Sequence, residues 1–232
     1  MPRQISVGDA PLTSAGGAER PVWDLPTRIF HWLLAALILF SWWSVKNHHT
    51  DWHIWSGCAI LTLLIFRLLW GFVGSSTARW SSFVRGPRAI MGFLEGKWAG
   101  IGHNPLGALS VLVLFGALAV QVGLGLISED EDGLYTGSLY RLVSTDTSDN
   151  ARDLHELWFK VILGLIALHV AAILYYRLRG RHLIKPMITG KARLAPGTQP
   201  MRPGKWWIAV LCLAIALAIT RWVIAGAPPF GP

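Results

Sequence analysis

The chain has 232 residues, of which 53% are hydrophobic and only 15% charged, with 13 Trp and a formal net charge of +8. So little charge, with the apolar residues gathered into long runs, excludes an ordinary soluble domain and points to an integral membrane protein. The positive charge does not mark a nucleic-acid binder, because it is confined to particular loops.

Residues 1–22 are polar, rich in Gly, Pro and Ser, and lack periodicity, so an unstructured tail is expected and no cleavable signal peptide. Five runs are each long enough to cross a bilayer: Ile29–Val45, His53–Val73, Pro105–Ile127, His155–Tyr176 and Trp206–Val223. Trp residues crowd their ends, as in interfacial belts. Pro26 is well placed where the first span begins. The turn from Ser41 to Trp52 carries His48 and His49, expected to be solvated, although either could stand in for His53 as a ligand.

Residues 75–104 carry Arg79, Arg85, Arg88 and Lys97 against the single acid Glu95, and hold a segment suited to a short amphipathic helix. Residues 177–205, which include His182, carry eight Lys or Arg and no acid. Residues 128–154 are the reverse, with seven acids against Arg141 and Arg152. Basic loops stay on the cytoplasmic side, so the N-terminus is expected inside and the C-terminus outside. The third span contains Gln121 and several glycines, which permit close packing or a flat cofactor. Cys58 and Cys212 fall inside spans and read as packing residues. No C-x-x-C-H occurs, so a covalently attached c-type haem is not expected.

The stretch from Asp153 to Tyr176 carries His155 and His169, fourteen residues apart. That spacing returns a helix to within roughly 40° of the same face and separates the rings by about 21 Å along the axis. Imidazole is costly in lipid unless it faces a partner, so two on one face imply ligands at two depths. Sorted by depth, His31 and His169 lie on the cytoplasmic side, and His53 and His155 on the external side. Haem iron accepts two axial imidazoles and is held between facing helices. A di-metal site would bring acids into the same spans, where only Glu156 occurs, at an end. Two haems are therefore expected, with both axial positions filled, which suits electron transfer. Arg28 and Arg67 lie near the inner pair and suit haem propionates or a quinone oxygen; snorkelling is the alternative for Arg28. His103 and Asn104 either hydrogen-bond a quinone carbonyl or cap the third helix.

The motifs P-T-R-I-F-H-W (26–32), H-I-W-S-G (53–57) with Arg67, G-H-N-P-L-G (102–107), L-H-E-L-W (154–158) and A-L-H-V (167–170) come in an order that resembles the bacterial cytochrome b561 family. That family is related to the cytochrome b subunits of nickel-iron hydrogenases. The resemblance covers roughly residues 22–195. It implies an all-α integral membrane protein, a four-helix transmembrane bundle holding two b haems. By position, His31 and His169 would ligate the inner haem and His53 and His155 the outer one. The fifth C-terminal helix and the acidic external loop depart from the pattern of some relatives. The domain plan is then a tail over 1–22, the di-haem bundle over 23–195, and a linker with a fifth helix over 196–232.

The expected function is transmembrane electron transfer in the bacterial inner membrane, between a quinone pool and a periplasmic redox protein such as a cytochrome c. Two other readings share the same haem wiring. One is a membrane anchor for a hydrogenase or dehydrogenase subunit; the other is an enzyme passing electrons from superoxide to quinone.

Overall fold

The computed structural model describes residues 18–84, 86–95, 100–195 and 197–229. Most of the tail, with Arg85 and Lys97 of the first basic loop, lies outside the described residues. Among the described residues the fold is all-α apart from one two-stranded ribbon. In chain order the elements are β1 (Glu19–Pro21), α1 (Leu25–Lys46), α2 (Thr50–Val73), α3 (Trp80–Phe83), α4 (Pro87–Leu94), α5 (Pro105–Ile127), a 3-10 turn (Tyr140–Leu142), α6 (Thr145–Leu178), α7 (Ile184–Thr189), β2 (Lys191–Arg193) and α8 (Trp206–Ile224). Five of these, α1, α2, α5, α6 and α8, are long and apolar enough to cross a membrane. Exposed side chains such as Phe72 and Leu168 then form lipid-facing surface.

Local chemistry sets the helix ends. The Asp24 carboxylate accepts the Thr27 N–H at 2.7 Å and the Trp70 indole N–H at 3.1 Å, so α1 starts at a capped, buried acid. At its other end His48 adopts a left-handed conformation, φ 59°, and the His49 carbonyl accepts the Trp52 and His53 N–H groups. This tight turn reverses the chain into α2.

Helix α6 starts at Thr145, ten residues before the predicted span. Ser144 caps it, with its hydroxyl 3.3 Å from the Thr147 N–H and its carbonyl accepting the Ser148 N–H. The acids Asp146, Asp149 and Asp153 therefore ride on helix rather than loop. The part of the predicted tail that is described also has structure. Glu19–Pro21 pairs antiparallel with Lys191–Arg193, Glu19 opposite Arg193. The predicted amphipathic segment forms α4.

The chain divides into two compact units. The first comprises the described residues of Met1–Ile29, Leu69–Val113 and His169–Ala209. Its core gathers Val22, Trp23, Ala192 and Leu194, with Ile101 and Met187 against them. Trp80 lies so close on Gly71 that a Cβ there would meet the indole at 1.9 Å, which reserves the position for glycine.

The second unit comprises Phe30–Leu68, Leu114–Leu168 and the described residues of Val210–Pro232. Ile60 and Leu64 of α2, Ala117 and Leu118 of α5 and Ile162 of α6 form its core, joined by Leu34, Leu37 and Ile38 of α1. Four helices thus share one apolar centre. Helix α8 presents Cys212, Ala216, Thr220 and Val223 as its buried stripe. The Thr220 and Thr62 hydroxyls meet 2.9 Å apart, where lipid offers no competing partner.

Candidate functional site

In the second unit, α5 and α6 are held in register by three polar contacts made to carbonyls. The Trp158 indole N–H donates to the Ala117 carbonyl at 2.9 Å. One turn along, His155 Nδ1 lies 2.9 Å from the Gln121 carbonyl, and the Gln121 amide returns a bond to the His155 carbonyl at 3.1 Å. A carbonyl can only accept, so Nδ1 of His155 carries the proton and Nε2 is left with its lone pair.

His53 obeys the same logic on α2. Its Nδ1 lies 3.1 Å from the Ser41 carbonyl and 3.0 Å from the Ser41 hydroxyl. The two imidazoles face each other, with ring centroids 5.9 Å apart and planes at 86°. Gly125 of α5 makes the space, since a Cβ there would lie 3.0 Å from His155 Cε1. Each ring is partly buried and each offers Nε2 as a donor.

Two neutral imidazoles fit a particular class of ligand. Among the described residues, no group of three or more His, Cys, Asp or Glu converges as a metal site. A protein-only zinc or di-metal centre needs three or four such donors. A pair of opposed imidazoles instead suits a metal whose other positions come from a macrocycle, as in haem. His53 and His155, on α2 and α6, are the residues that would hold such a group.

The remaining predicted residues divide between the units. His31, in the second unit, meets Trp32 edge to face at 5.0 Å. His169, in the first, has Nδ1 3.3 Å from the Ser110 hydroxyl of α5. Arg67 is buried to 3% exposure, an unusual position for a cation inside an apolar span. Arg28 donates to the Ile188 carbonyl of α7. The Asn104 side-chain oxygen accepts the Gly107 N–H at 2.7 Å and so caps α5, while its amide reaches the Tyr176 hydroxyl at 3.3 Å. His103 is clasped between Trp23 and Phe83, 4.6 and 4.7 Å between ring centroids. His48 and His49 are both exposed, as expected, and His49 stacks on Trp52 with 4.5 Å between ring centroids.

Three contributors escaped the sequence reading. Gln121 and Ser41 act through backbone carbonyls, which no residue type advertises. Gly125 was one of several glycines with no signal to separate it from the others.

Five long apolar helices define a multi-pass membrane protein. The family model for prokaryotic cytochrome b561 matches residues 22–190, and the chain belongs to that family. It is a membrane haem-b electron-transfer protein. No curated protein and no solved structure matches the chain.

Proposed function

We propose that the chain carries electrons across the bacterial inner membrane through two bis-histidine b haems, between a quinone pool and a periplasmic redox protein. The observation that carries this reading is the facing of His53 and His155, each with Nδ1 turned to a carbonyl and Nε2 free to ligate. Haem b supplies one-electron chemistry at an iron whose axial positions are filled.

His53 and His155 hold the outer group. His31 and His169 hold the inner one, assigned from their place in the sequence and in the family's motifs. Arg67, a guanidinium buried within α2, is the residue assigned to a propionate in this reading, since its planar fork matches a carboxylate. A quinone site near His103 and Asn104 belongs to the same reading. There, a quinone carbonyl needs a donor, and the Asn104 amide, 3.3 Å from the Tyr176 hydroxyl, and the His103 ring are the groups that would supply one. The di-haem bundle spans 23–195, with the tail before it and the linker and α8 beyond.

The redox partner is a basic soluble protein such as a cytochrome c. Glu131 and Asp132 stand exposed in the segment that the Glu129–Thr136 bridge closes, and suit it by charge complementarity. The anchor reading draws on α8, whose outward face offers Val210, Leu213 and Leu217 to a second subunit. The superoxide reading is weaker, because it needs external cations. Arg152 is engaged by Asp149 and Asp153, and Arg141 by the Tyr140 hydroxyl.

A pyridine haemochrome assay with reduced-minus-oxidised spectra tests the proposal. The purified chain should hold about two b haems, and His155→Ala and His169→Ala should each lose one. Full content in both variants would overturn the ligand assignment.

A further inference from the structure

In the first unit, the last turn of α6 and the short helix α7 enclose a cavity of about 360 Å³ that no part of the haem chemistry uses. Its lining includes three basic side chains, Arg177 from α6, His182 from the connecting turn and Lys185 from α7. The apolar part of the lining comes from Ile173, Leu183, Ile184 and Ile188. Ile188 is 59% exposed.

We propose that this cavity is a binding site for an anionic phospholipid. Arg177, His182 and Lys185 take the phosphate, and the isoleucines receive the first part of an acyl chain. The site sits where a spanning helix ends, which is headgroup depth for a chain that crosses the bilayer. A free phosphate would use the cations but leave the apolar wall unexplained. A zwitterionic lipid would bring its own cation towards three basic side chains. Guanidinium and ammonium groups together match a phosphodiester, through directional N–H donors and a point charge.

One acid competes for the site. Glu19 of β1 accepts a hydrogen bond from Lys185 at 3.1 Å and so draws off part of its charge. Removing this acid should therefore strengthen lipid binding, whereas removing a cation should weaken it. Opposite signs from two exposed positions are not what misfolding produces.

The test is native mass spectrometry of the full detergent-solubilised chain, titrated with phosphatidylglycerol or with phosphatidylcholine of the same acyl chains. Phosphatidylglycerol should bind more tightly. Arg177→Gln should weaken it about fivefold, the effect of one interfacial cation. Glu19→Gln should tighten it, and millimolar inorganic phosphate should not displace it. Circular dichroism and haem content should match wild type in both variants. Equal binding of the two lipids, or no change in Arg177→Gln, would overturn the proposal. Displacement by inorganic phosphate at lipid-like concentrations would also overturn it, in favour of a soluble-anion site.

Discussion

His155 meets His53 edge to face at 5.9 Å, and each ring hands its Nδ1 proton to the backbone of another helix, α5 for one and α1 for the other. Each imidazole is thus oriented by a group that mutation of a side chain cannot remove. That makes the pair robust in orientation but sensitive to crowding.

Gly125→Val tests the crowding. Its side chain would enter the space of the His155 ring, which even a Cβ approaches at 3.0 Å. The variant should keep its helicity and lose about one of two b haems, read by pyridine haemochrome. Full haem content would mean that His155 turns elsewhere to bind.

Ser41→Ala and Ser110→Ala should differ. The first leaves His53 the Ser41 carbonyl, whereas the second removes the hydroxyl beside His169 Nδ1. Loss of such an outer partner weakens metal affinity by about 10–100-fold. Haem retention against an apo-globin competitor should fall for Ser110→Ala and change little for Ser41→Ala. Equal behaviour of the two would sink the argument.

The ribbon of β1 and β2 should loosen in acid. Lys185, hydrogen-bonded to Glu19 and opposite in charge, holds the Glu19 carboxyl below its ordinary value. A depressed carboxyl contributes stability that is present above the unfolded value of about 4.3 and lost as pH falls through the lower folded one. Amide exchange at Ala192 should quicken in that window for wild type, and the pH step should shrink in Glu19→Gln. Because the group lies at the exposed surface, the effect is local.

Docking of α8 can be measured by a double-mutant cycle of Thr62→Val and Thr220→Val. Both hydroxyls are buried and 2.9 Å apart. Coupling of about 0.6 kcal/mol is typical of hydrogen bonds between spanning helices. Zero coupling in thermal unfolding would mean that packing of the small residues Cys212 and Ala216 holds the helix without this bond.

The spans were legible because lipid demands long apolar runs, and the boundaries of α5 match the predicted ones to the residue. The early start of α6 was hidden because its first ten residues are polar. Hydropathy cannot see a helix that begins outside the membrane, and the Ser144 cap is a short-range signal inside an acidic stretch. The ribbon was illegible for another reason: two three-residue strands separated by some 170 positions carry no periodicity. His53 and His155 could be singled out as residue types at particular depths. What orients them could not, because carbonyl oxygens are common to every residue.

The early start of α6 has a mechanical consequence. At about 1.5 Å per residue its 34 residues make a rod of about 51 Å, well over the thickness of a hydrocarbon core. His155 sits about 15 Å below the top of that rod, with unbroken helix above it. A protein seated on Asp146 and Asp149 would therefore grip a stiff lever with His155 on its shaft. Any tilt it imposed would reach the imidazole with no hinge to absorb it.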